Sequence, residues 1–302
     1  MERANLEACI FSVKNGPGFT STLNFSRLVS SFPIDTMIFR ILFLILAILH
    51  AGTDAQEKSQ WRERLPRTLQ TDFPYTKAAI RQNFPKNSVA NKGMAIIAGH
   101  EAFMCFDTDL LRWSAGWTGN YLTEDGVSFK GNHGASPRVA GDQKFGSSAL
   151  AGWADANGSF AESRDEPFGP LPKTQAKWRG CYVADDAVVL SYTVGKTQIL
   201  EQPGSIERSG QTIFIRHIRH DGLAAELATL VCEVEKAEGG VENGVAILVS
   251  GDRVTQVGLV DAPKGAILEV QENKRIVARL PKDTKAGSFQ IRIWSSGGAY
   301  TT

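Results

Sequence analysis

The sequence lacks the signatures on which most functional assignments rest. It holds no GxSxG elbow, no P-loop and no GxGxxG turn, which leaves serine-hydrolase, nucleotide and dinucleotide chemistry without support. Four cysteines in 302 residues form no CxxC and no CxxCH, so zinc-ribbon, thioredoxin-type and covalent-haem motifs are excluded. Neither charge sign dominates: 33 Lys and Arg stand against 32 Asp and Glu, a net of +1 with no block of like charge. A nucleic-acid partner is not expected, because a phosphate-tracking surface needs a basic stripe. No period of about 20 to 50 residues repeats, which removes propellers and solenoids. Long stretches of Ala, Glu, Lys and Leu are scarce, whereas glycine (29 residues) and aromatics (9%) are well represented. That composition predicts turns and sheets rather than long helices.

The N-terminus reads as an address. From Met37 the chain runs MIFRILFLILAILHAGTDAQ: a start-like Met, the basic Arg40, nine apolar residues from Ile41 to Leu49, then small residues ending at Ala55. This is the three-part pattern of a secretory signal, and its apolar core is too short for a permanent membrane span. Residues 37–55 are therefore expected to be a signal peptide, with export to the periplasm or the extracellular space. Residues 1–36 form a doubtful extension upstream of a start at Met37. Residues 56–90 are polar and carry Pro66, Pro74 and Pro85, which predicts an extended segment with at most one short helix around Thr76 to Gln82. Beyond the signal stand Cys105, Cys181 and Cys232, an odd number. One disulfide plus a free thiol fits an oxidising compartment, but three buried, small apolar side chains is the simpler reading.

From about residue 91 to 302 short β-type runs separated by turn residues dominate. The clearest meander is WRGCYV, AVVLSYTV, TQILEQ and QTIFIRHIRH, with turns expected at Ala184 to Asp186, Gly195-Lys196 and Pro203-Gly204. A long glycine-rich loop is expected from Gly131 to about Leu171. LAAELATLVCEVEKA suits helix or strand, whereas GVAILVSG, VTQVGLV, GAILEVQENKRIVARL and SFQIRIW are strands by their Val and Ile content. The expected fold is mainly β: one large antiparallel β-sandwich or super-sandwich over residues 91–302, preceded by a short irregular or helical N-terminal segment.

The stretches CFDTDLLR and VVLSYTVG, within NKGMAIIAGHEAFMCFDTDLLRWSAGWTGNYL, FKGNHGASPRV and EPFGPLPKTQAKWRGCYVADDAVVLSYTVGKTQILEQPG, carry a resemblance. The chain is similar to an uncharacterised family of exported bacterial β-rich domains, usually found in large proteins that also carry c-type cytochrome (haem) domains. The likeness is strongest over residues 90 to 220. It implies export, a β-rich module and work beside a c-type cytochrome partner, with no catalytic residues to carry over. No CxxCH occurs between Met1 and Thr302, so no haem or other cofactor is expected in this chain.

The candidate chemistry centres on the aspartates of AFMCFDTDLLRW. Were this run a continuous strand, Phe103, Cys105, Asp107, Asp109, Leu111 and Trp113 would share one face. Asp107 and Asp109 would then stand about 6 to 7 Å apart, near the lower end of the spacing used by inverting glycosidases. One carboxyl of such a pair beside an apolar wall is pushed up toward a general acid's range. The plainer reading is that Asp107 marks a bulge or a strand end and both acids accept backbone or Arg112 hydrogen bonds. Glu201 and His133 are further partners for such chemistry. His133 with Arg138, in or beside the glycine-rich loop, is a candidate ligand contact. His217 and His220, three apart on a strand, fall on opposite faces, so no metal site is expected. Trp113, Trp117, Trp153 and Trp178 could offer flat surfaces to a sugar or a protein. Three functions remain: a non-catalytic binding or accessory module for a glycan or protein partner, a glycan-processing enzyme built on Asp107 and Asp109, and an accessory to a cytochrome.

Overall fold

In the computed structural model, residues 73–86, 88–123, 136–161, 169–272 and 274–297 are described. The signal pattern, the extension before it and His133 lie outside these residues. Every helix or strand among the described residues is a strand, as the Val-, Ile- and aromatic-rich runs between turn residues predict. The chain opens with β1 (Tyr75–Arg81), β2 (Val89–Gly99), β3 (Ala102–Asp107), β4 (Arg112–Thr118) and β5 (Asp142–Gly146), paired in succession. A second meander follows: β6 (Ala176–Ala184), β7 (Ala187–Val194), β8 (Thr197–Arg208) and β9 (Gln211–His220). β10 (Leu227–Glu233) returns to the first set, and β11 (Glu238–Glu242), β12 (Val245–Ser250) and β13 (Arg253–Val260) extend the second. β14 (Ile267–Gln271) and β15 (Arg275–Leu280) complete the first, and β16 (Gly287–Ser296) inserts between β13 and β9.

The result is two antiparallel eight-stranded sheets in a sandwich-like arrangement. The first runs β1-β2-β3-β4-β5-β10-β15-β14 and the second β11-β12-β13-β16-β9-β8-β7-β6. The turns at Asp185-Asp186 and Gly195-Lys196 fall where expected, with positive φ at Asp185 (51°) and Gly195 (55°). Three local expectations are corrected. Thr76 to Gln82 is largely strand β1, not helix. Pro203-Gly204 lies inside β8 rather than in a turn; β7 stops pairing at Leu190–Glu201, so beyond it β8 has an open edge where a missing N–H is tolerated. The glycine-rich loop contains β5.

The two sheets bury their faces differently. β3 is buried at every residue and β4 at all but its last, the pattern of strands covered on both sides. Inside, Met94, Ile96, Met104, Phe106 and Trp113 join the inter-sheet core. Outside, Ile80, Phe103, Cys105 and Trp117 are covered by Tyr121, Leu122 and Val139. That cover is pinned by the Tyr121 hydroxyl donating to Ala95 O (2.7 Å) and by Trp117 Nε1 donating to Tyr121 O (2.8 Å). The second sheet alternates instead: Phe214, Arg216, Ile218, Phe289, Ile291, Ile293 and Val257 point inward, and the alternate residues between them face outward, partly exposed.

Two close fits generate tests. A Cβ on Gly116 would lie 1.9 Å from the Phe145 ring, and that ring crosses to Phe214 of the second sheet at 5.4 Å, edge to face. Gly116→Ala should therefore cost about 1–3 kcal/mol in urea unfolding, and combining it with Phe145→Leu should cost less than the sum of the two. Cys105, Cys181 and Cys232 are free thiols. Burial pushes the Cys105 thiol from 9.0 up to about 12. Because the folded value lies above the unfolded one, its stabilising contribution is whole below pH 9 and is lost as pH rises toward 12. Unfolding free energy should fall over that window, and Cys105→Ala should flatten the fall.

Candidate functional site

The most elaborate polar cluster surrounds Glu201, which β8 aims into the core at 0% exposure. Its Oε1 accepts Trp113 Nε1–H from the first sheet (2.7 Å) and Arg216 Nε–H from β9 (2.6 Å), and its Oε2 accepts the Tyr192 hydroxyl. Arg216 donates further to Leu230 O (3.3 Å) and Thr229 Oγ1 (3.2 Å) of β10, and Thr229 donates to Gly152 O (2.9 Å). Burial first, then the Glu201 carboxylate, drives the Tyr192 phenol well above its ordinary value. The group is chemically rich but sealed, since Trp113, Tyr192 and Arg216 are all buried as well. A carboxylate that no substrate can reach is structural: it ties one sheet to the other.

The aspartates do not share a strand face. β3 ends at Asp107, and Thr108 to Leu111 form a turn with Leu111 at φ 50°. The alternation that would align Asp109 with Asp107 is broken there. Asp107 is buried, accepts the N–H groups of Asp109 (3.1 Å) and Leu110 (3.5 Å), and pairs with Arg112 at 3.4 Å. Arg112 in turn donates to Ser147 O (2.6 Å) and Val89 O (2.9 Å). Asp109 sits half-buried in the turn, its carbonyl accepting Leu171 N–H at 3.0 Å.

The aromatic candidates are mostly interior. Trp113, Trp117 and Trp153 are all buried, at no more than 1% exposure, and half-buried Trp178 packs on Phe106 with ring centroids 5.8 Å apart. Arg138 is half-buried, its guanidinium reaching Gln82 O at 3.4 Å. His220 points inward and His217 outward, as their spacing predicts. Among the described residues no group of three or more His, Cys, Asp or Glu could hold a metal ion.

A different surface brings together side chains suited to a ligand. On the outward face of the second sheet, β16 presents Gln290, Arg292 and Trp294 in alternation with buried Phe289, Ile291 and Ile293. Register places Gln290 opposite His217, and His217 opposite Gln202. Gln256 pairs with Trp294, and Gly258 with Arg292. A Cβ on Gly258 would lie 3.8 Å from the Trp294 ring, so the indole lies over the glycine. Arg292 Nε donates to Gln290 Oε1 at 3.0 Å, which orients both planar groups. The signal for this surface stands in SFQIRIW: the tryptophan falls in phase with Gln290 and Arg292, not with the apolar set.

Residues 104–201 are similar to a Domain of unknown function (DUF6797). No curated protein matches the chain. The similar region draws strands from both sheets, β3 to β5 and β6 to part of β8. It includes Trp113, Tyr192 and Glu201 of the sealed cluster and stops short of Arg216 and Trp294. Glu201→Gln should destabilise by about 3–5 kcal/mol, because it leaves the Arg216 charge buried without its counter-ion. Trp113→Phe, which removes one hydrogen bond, should cost closer to 1–3 kcal/mol. Chemical denaturation of the three proteins measures both.

Proposed function

We propose that this is an exported, non-catalytic carbohydrate-binding module whose ligand lies along the outward face of the second sheet. The observation that carries the reading is the half-buried Trp294, laid over Gly258 and flanked by Gln256, Gln290 and Arg292 on a sheet face whose outward side chains remain partly exposed. A flat indole stacks on a sugar ring, and planar amides and a guanidinium satisfy the hydroxyls around it. Reactive-looking acids support binding rather than turnover: Glu201 and Asp107 are both engaged in buried ion pairs. Export rests on the signal pattern of residues 37–55. A module of this kind would serve chemistry held in other domains, as the resemblance to domains found beside c-type cytochromes implies.

A glycan-array screen of the purified chain, run beside Trp294→Ala, tests the reading. Because Trp294 faces outward, the substitution should leave the melting temperature within a degree or two while weakening glycan binding roughly tenfold, the 1.4 kcal/mol scale of a lost aromatic contact. Binding that is indifferent to Trp294→Ala removes the assignment.

A further inference from the structure

Resting on that reading, we propose that the glycan is an acidic one, carrying uronate or sulfate groups that pair with Arg292 and the basic residues beyond it. The whole chain is close to neutral, at +1, yet this face is not. Along the outward side of β12, β13, β16, β9, β8 and β7 no residue is a carboxylate; the outward acids of this sheet, Glu238 and Glu242, sit on edge strand β11. The same side carries the cations Arg292 and Arg219; His217 lies between them, and burial lowers its pKa, so it stays neutral near pH 7. Arg292 has Nε held by Gln290 and no carboxylate partner among the described residues. A guanidinium fixed in this way presents its remaining N–H pair to a carboxylate or sulfate in fork geometry, which a lysine cannot reproduce.

The face also runs toward a basic rim. From Trp294 the β16 row passes Arg292 and Gln290 to Ser288, roughly 20 Å along the strand. Ser288 pairs with Arg219 and lines a cavity of about 380 Å³, together with Lys264, Lys282, Lys285 and His220. Asp261 and Asp283 line it too, so the lysines exceed the acids three to two. The abutting cavity of about 500 Å³, which shares Asp283 and Lys285, adds Lys196 and Asp221. An extended chain bearing a charge on successive sugars would meet the indole at one end and the lysines at the other, with no carboxylate between them on the strand face. Neutral glycan would gain the stacking and hydroxyl contacts to the amides and the guanidinium, but no charge pairing.

The test compares matched probes on the full chain by calorimetry at low and at physiological salt: oligogalacturonate against its methyl ester, and dextran sulfate against dextran. Expected is binding of an acidic probe at least tenfold tighter than of its neutral counterpart, weakened by salt. Arg292→Gln should weaken the acidic probe roughly tenfold and the neutral one, which loses only a hydroxyl contact there, by no more than about twofold, Arg292→Lys should restore acidic binding only in part, and Trp294→Ala should weaken both. Preference for oligogalacturonate over dextran sulfate identifies the carboxylate as the group read, and the reverse identifies sulfate. Equal, Trp294-dependent binding of charged and neutral forms overturns the acidic specificity and leaves the sheet-face reading standing. Acidic binding that survives both Arg292→Gln and Trp294→Ala, or no binding to any probe, overturns both.

Discussion

The buried ion pair between Glu201 and Arg216 is the constraint around which the sandwich is organised. Two charges removed from water are tolerable only where their remaining hydrogen-bonding capacity is met, and here the partners come from both sheets. Trp113 of β4 and Tyr192 of β7 complete the carboxylate, and Thr229 and Leu230 of β10 receive the guanidinium. Any relative slide of the sheets would break several of these contacts at once. Arg253 of β13 makes a second tie, donating to Gln143 O (2.8 Å) and Lys144 O (3.1 Å) of β5. The polar interior thus specifies how one sheet is seated on the other, while Phe145, Phe214 and their neighbours supply the apolar burial.

That inner lock separates the roles of the outer faces. The first sheet is covered a second time, by Tyr121, Leu122 and Val139 over β2 to β4 and by Phe160 against Ala228, Leu230 and Val277. Its strands can accordingly be apolar on both sides, as AFMCF is. The second sheet alternates along β9, β13 and β16 and turns planar polar groups outward there. A flat, ordered surface of this kind suits an extended ligand lying along a strand row, since its side chains are already held in register by the ladder and little conformational entropy is lost when they are engaged.

How far the sequence discloses this depends on where the competing forces lie. In β9 and β16 the alternation is uninterrupted, so QTIFIRHIRH and SFQIRIW show both their strand character and which side chains share a face; that phase sets Trp294 outward, although the tryptophans singled out from the sequence are Trp113, Trp117, Trp153 and Trp178. Turn chemistry at Asp185-Asp186 and Gly195-Lys196 was equally legible. In AFMCFDTDLLRW both faces are apolar, so periodicity cannot separate one covered face from two; an end at Asp107 is among the readings the acids allow, but nothing local announces that Leu111 adopts a positive φ. Trp113 at its end and Trp117 just beyond it attract a binding interpretation but serve two cores. Glu201 lies in phase with Ile199 and so is recognisable as an inward acid, but its partner Arg216 is set by the β8–β9 register and Trp113 by the packing of the sheets. Those are long-range outcomes that no local pattern encodes.

The claim that the working surface lies on the second sheet and not among the buried acids is tested most directly by the tryptophan indole ¹H–¹⁵N resonances of the isotope-labelled protein, followed while an acidic oligosaccharide is titrated in. The account predicts that the Trp294 signal moves with saturation while that of Trp113, hydrogen-bonded to Glu201 in the sealed core, stays in place. Movement of Trp113 or Trp178 with Trp294 unmoved would contradict it and return attention to the interior cluster and the β6 edge.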